Sequence, residues 1–116
     1  MKRIAVPYEN EQIFQRFGHT PQFKFYDVVG NRILREQVIA ASSKKGHTAL
    51  AGFLRTLSTN TLICDRIGEG GLQALKAAGI EVYSGITGNA DDAVKSFVEK
   101  KEDRRNVHLD VPISFY

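Results

Sequence analysis

Four short segments hold the residues best able to do chemistry: Phe17-Gly18-His19-Thr20-Pro21-Gln22-Phe23, Gly46-His47-Thr48, Ile63-Cys64-Asp65-Arg66-Ile67-Gly68-Glu69-Gly70-Gly71, and Ser84-Gly85-Ile86-Thr87-Gly88-Asn89. Imidazole nitrogen and thiolate sulfur suit iron, copper, zinc or a metal-sulfur cluster, which makes His19, His47 and Cys64 candidate metal contacts. Their spacing is neither that of a zinc finger nor that of a ferredoxin. A closed site of four local ligands is therefore not expected, and one or two anchoring contacts to a preassembled cluster remain. Helix N-termini and the backbone around Gly68 and Gly70 could donate N–H groups to an anion, with positive charge added by Lys44, Lys45 and Arg66.

Each residue also has a structural explanation. Cys64 ends an apolar run and could be a buried small hydrophobe. His47 could merely precede a helix, and His19 could fix its loop by a hydrogen bond. The glycines could serve only a strand-to-helix turn, because Gly68-Glu69-Gly70-Gly71 matches neither the dinucleotide fingerprint nor the P-loop. Catalytic patterns are missing: there is no nucleophile elbow and no His-Glu-x-x-His segment. A two-metal nuclease needs carboxylates in the centre of its sheet, and Arg3 to Tyr8 has none. The expectation is a protein that is not an enzyme.

The 116 residues, 42% hydrophobic and 25% charged, are the size and balance of one folded domain. A net charge of +3 is scattered along the chain, without the basic stripe and interleaved aromatics of a nucleic-acid binder. One cysteine excludes an intramolecular disulfide and fits a reducing compartment. With neither a signal-peptide pattern nor an apolar run near the ~20 residues of a membrane span, a cytoplasmic protein is expected.

These candidates need elements to position them. Arg3 to Tyr8 reads as a buried strand followed by a loop as far as Gln22. Phe23 to Val29 and Arg32 to Ala41 form an antiparallel pair joined at Gly30-Asn31, residues suited to positive φ. Leu50, Phe53, Leu54 and Leu57 share one face of a helix over about 47–57. Thr61 to Cys64 is a strand, and Leu72, Leu75 and Ala78 lie along a helix that Gly79 can end. Glu81 to Ile86 is the last core strand, and Asn89 caps a helix that buries Val94, Phe97 and Val98. Asp91 and Asp92 begin that helix and Lys100 and Lys101 end it, as its dipole favours. Lys100 to Arg105 reads as a solvated linker. Beyond it Val107, Leu109, Val111, Ile113 and Phe115 alternate with polar residues, the pattern of an edge strand that could pair within the molecule or in a homodimer, with a disordered tail as the equal alternative.

Right-handed crossovers then give an α/β fold with a mixed five-stranded sheet, its strands ordered 3-2-1-4-5. The C-terminal ends of strands one, three, four and five share one edge, and all four segments fall on it. The winding reverses between strands one and four, the usual place for a ligand in an open α/β sheet.

The same residues carry a resemblance. Lys2-Arg3-Ile4-Ala5-Val6-Pro7, Phe17-Gly18-His19 with Phe23, Gly46-His47-Thr48-Ala49-Leu50, Ile63-Cys64 with Ile67-Gly68 and Gly70, then Ala74-Leu75 and Ala78-Gly79-Ile80 resemble the dinitrogenase iron-molybdenum cofactor biosynthesis family over about residues 1 to 100. The resemblance implies a three-layer α/β/α domain with a ribonuclease H-like motif over 1–101 and a C-terminal tail over 102–116. It further implies a non-catalytic binder or carrier of an iron-sulfur or molybdenum-containing cluster, with His19, His47 and Cys64 as contacts and another cluster-assembly protein as a partner. Where that family reads Cys-Gly-Gly-Ile-Gly-Gly-Gly, this chain has Cys64-Asp65-Arg66-Ile67-Gly68-Glu69-Gly70. Either Arg66 supplies a new anion contact or the ancestral ligand has been lost. The alternative function is a metal-free interaction or regulatory module using the same edge.

Overall fold

The structure is a computed structural model that describes residues 2–41 and 46–107, with residues 101–107 as backbone only. Lys44, Lys45 and His108 lie outside the described residues, as does most of the alternating tail.

Strand β1 (Lys2–Glu9) takes the centre of the sheet because Ile4, Ala5 and Val6 are apolar on both faces and all three are buried. A tight turn at Asn10 and Glu11, with φ of 51° and 68°, folds the chain back into β2 (Gln12–Ile13). Two consecutive positive φ angles are the signature of a type I′ hairpin, so the expected open loop begins as a hairpin. This raises the strand count from the expected five to six. β3 (Gln22–Val29) and β4 (Arg32–Ala40) follow as the expected antiparallel pair. In the turn between them Gly30 alone takes positive φ, at 63°.

Helix α1 (His47–Thr56) leads into β5 (Thr61–Ile63), α2 (Glu69–Ala77), β6 (Glu81–Tyr83) and α3 (Ala90–Val107). Gly79, at φ 79°, ends α2 as expected. Asn89 caps α3, its Oδ1 accepting from the Asp92 N–H at 2.9 Å. α3 runs through Val107, so the linker expected over Lys100 to Arg105 is helical backbone. Alternating charge at 99–105 is compatible with an exposed helix as well as with a solvated loop, which is why composition misplaced its end.

The sheet order is β4-β3-β1-β5-β6, with β2 added beside the end of β1. β1 pairs antiparallel with β3 and parallel with β5, giving the mixed sheet expected. α1 and α2 cover one face over a core of Phe17, Phe23, Leu50, Leu54, Leu62, Cys64 and Leu75. α3 covers the other, burying Val94 and Phe97 against Ile4, Tyr26, Ile63 and Tyr83. Truncating a fully buried side chain such as Leu50 or Leu54 to alanine costs about 2–5 kcal/mol. Two such layers hold the C-terminal sheet edge rigid from both sides.

Candidate functional site

The β1–β2 hairpin delivers the following residues across that edge to the turn after β5. Ile13 donates its N–H to Gly88 O (2.8 Å), and Ala90 donates to Glu11 O (2.9 Å). Arg66 N then donates to Gln15 O (3.1 Å) and Phe17 N to Arg66 O (3.3 Å), a short parallel bridge between Arg16 and Arg66. A 3-10 turn at Phe17–His19 follows, anchored by Phe17, which is buried with its ring 6.1 Å from that of Phe23. The Thr20 hydroxyl closes the turn by donating to Phe17 O at 2.7 Å. His19 is thereby left exposed on a fixed turn.

His47 is the first residue of α1, after Gly46 at φ 88°. Its imidazole lies in a crevice made of glycine backbone. A Cβ on Gly70 would stand 2.9 Å from His47 Cδ2 and 3.2 Å from Nε2. One on Gly71 would stand 3.3 Å from Nδ1, and one on Gly18 would stand 3.6 Å from Cε1. Gly70 and Gly71 are in the first turn of α2, not in the loop where sequence placed them. Their missing side chains let the N-terminal ends of α1 and α2 meet around one ring.

A cavity of about 320 Å³ opens here, lined by Arg16, Phe17, Gly18, His19, His47, Arg66, Ile67 and Gly68. It unites His19, His47, Arg66 and Gly68 from the expected set, with Gly70 behind the His47 ring. Neither Arg16 nor Arg66 has a carboxylate partner among the described residues. Asp65 and Glu69 stay out of the lining, and Glu69 instead accepts a hydrogen bond from Gln73 Nε2 at 3.0 Å. The charged replacements in the glycine turn therefore contribute a cation to the cavity wall and keep their anions off it.

Cys64 stays apart from the histidines. It is fully buried in the α1–α2 core, its N–H donating to Tyr83 O and its carbonyl accepting from Ile86 N. Burial, with a smaller contribution from Asp65, pushes its thiol up to about 12, so it is protonated at neutral pH. Among the described residues no three His, Cys, Asp or Glu side chains come together to hold a metal ion. Sequence reasoning missed Arg16, which carries no local motif and reaches the site only through the unforeseen β1–β2 hairpin.

Two imidazoles, two guanidiniums without a carboxylate partner among the described residues, and the N-terminal ends of two helices form an electropositive pocket with nitrogen donors and, among its lining residues, no thiolate. Such a donor set does not fit a bare cation. It fits a preformed anionic group that brings its own remaining ligands.

The chain is similar to an uncharacterized protein, MJ0580, of Methanocaldococcus jannaschii, at 25% identity over 108 residues, 90% of this chain and 92% of the relative. Its fold matches PH0822 with a TM-score of 0.79 and 24% identity, over 84% of this chain and 89% of that one. It also matches the apo form of the orange protein from Desulfovibrio gigas, with a TM-score of 0.71 and 26% identity over 89% and 88% of the two chains. Residues 1–100 match the family described as dinitrogenase iron-molybdenum cofactor. Fold and sequence agree, and the chain belongs to the dinitrogenase iron-molybdenum cofactor family.

Proposed function

We propose that this protein binds and carries a preassembled, anionic iron-sulfur or molybdenum-containing cluster in the Arg16/His19/His47/Arg66 cavity, without transforming it. The observation that carries the reading is the wall itself: two imidazoles and two guanidiniums without carboxylate partners around about 320 Å³. His19 and His47 offer nitrogen ligands to the cargo, while Arg16, Arg66 and the N-terminal turn of α2 at Gly68 neutralise its charge. Cys64 belongs to the core that holds the β5 turn in place. Family membership supports the class of cargo.

Anaerobic incubation of the full chain with iron, sulfide and molybdate, followed by desalting, tests this reading. Wild type is expected to keep metal and show charge-transfer absorption. The His19→Ala/His47→Ala variant, equally folded by circular dichroism, is expected to lose both. Retention of the same metal and spectrum by that variant would place the cargo elsewhere. A wild type that stays colourless while binding a protein through this edge would replace the carrier reading by a metal-free interaction module.

A further inference from the structure

The large apolar side chains left exposed among the described residues are Val29, Leu34 and Val38, at 47%, 60% and 42%. All three lie on the β3–β4 hairpin. β4 is nine residues long and is the last strand of the sheet among the described residues, so no described strand pairs with its outer edge. The ladder steps from Asp27↔Arg35 to Val28↔Ile33, a bulge that leaves Leu34 with no partner on β3. Val38 lies opposite Lys24, and Glu36 opposite Tyr26. Lys24 and Tyr26 both bond Asp91 of α3, so Val38 is on the α3 side of the sheet, where Ile33 also packs. α3 and its cluster take in Ile33 at the start of β4, while Val38 further along the strand stays exposed among the described residues.

We infer that residues 108–116 of this same chain add to β4 as an outermost strand, parallel to it, and cover Leu34 and Val38. Connection handedness selects this edge over the other. The crossovers β4-α1-β5 and β5-α2-β6 step in one direction with both helices on one face. α3 follows β6 on the opposite face, so a right-handed crossover must step back across the sheet. The free edge in that direction is β4, and a strand added beyond β6 would need the rare left-handed connection. α3 returns towards the β3–β4 turn, beside which β4 begins. As an extended strand, residues 109–115 would run about 23 Å, a length that the nine residues of β4 can accommodate. Leu109, Val111, Ile113 and Phe115 alternate with polar residues, the pattern of a strand with one apolar face, for which Val38 offers an exposed apolar neighbour on the α3 side and Leu34 one at the bulge. Pro112 has no N–H to give, which an outermost strand does not require.

Amide hydrogen exchange on the full chain tests this pairing. The wild type is expected to show amides within 109–115 and along β4 slowed by about tenfold or more against free-chain rates, unchanged on dilution. In Leu34→Lys/Val38→Lys, the protection within 109–115 is expected to vanish while that of β1 and α1 remains. Free-chain exchange across 108–116 in the wild type, or full protection in the variant, would overturn the inference. Protection lost on dilution, together with a dimer by light scattering, would make a second copy the occupant and overturn it equally.

Discussion

At the residue scale, the one sulfur and two imidazole candidates separate by burial. Cys64 is sealed in the core with its thiol held protonated, whereas both imidazoles stand at a cavity wall. Cys64 is therefore expected to resist iodoacetamide at pH 8 in the folded protein and to react once the chain is unfolded in guanidinium, read by mass spectrometry. Rapid alkylation of the native state would contradict this placement. His19 stood out in the sequence because it sits in a long polar loop with no apolar periodicity to explain it, whereas His47 read equally as a residue that precedes a helix. Arg16 did not stand out, since nothing local distinguishes it from any exposed arginine.

At the scale of elements, the glycines of α2 serve an imidazole. The sequence pattern reads Gly70 and Gly71 as loop, since glycine is a poor helix former, yet both are helical, and the space a Cβ would take is filled by the His47 ring at Gly70 and by Ile67 and His47 at Gly71. Gly70→Ala makes a sharp test, as its two effects have opposite signs. The helix gains up to about 1 kcal/mol of propensity, while the new Cβ drives the His47 ring out of its crevice. Unfolding in urea should show equal or higher stability, and cluster retention should fall by about tenfold or more. Lower stability with unchanged retention would show that the crevice is unimportant to binding. The longer periodic elements were legible in advance: the β3–β4 pair, the buried faces of α1 and α3 and the Asn89 cap all stand where spacing put them. The β1–β2 hairpin was hidden because Asn10-Glu11 lacks the glycine that usually marks a type I′ turn, and the end of α3 was hidden because charge runs do not distinguish helix from linker.

At the scale of the molecule, the expected strand order is the observed one, and it follows from handedness and the hydrophobic runs alone. One ion pair ties this sheet together away from the site. Arg3 Nε and Nη2 donate to Asp27 Oδ1 and Oδ2 at 2.7 and 3.2 Å, and Nη1 donates to Leu57 O at 2.7 Å, joining β1, β3 and the end of α1. The hydrogen bond from Arg3 holds the Asp27 carboxyl below its ordinary value of 3.8, against the opposing effect of burial. A depressed carboxylate contributes stability that is present above its unfolded value and is lost as pH falls through its folded value. Asp27→Asn should therefore cost about 1–3 kcal/mol at pH 7 and progressively less as pH falls below 3.8 and through the carboxyl's lower folded value, seen as converging thermal midpoints of variant and wild type under acid. A pH-independent difference would assign the loss to packing.

The central claim is that this sheet edge carries a metal cluster, and its most direct measurement is elemental analysis with an absorption spectrum on the full chain purified anaerobically from cells. The account predicts iron or molybdenum bound in stoichiometric amount, with visible charge-transfer bands that disappear in Arg16→Gln/Arg66→Gln, which should remain folded because both side chains are exposed. A metal-free, colourless wild type, or bands unaffected by that variant, would contradict it.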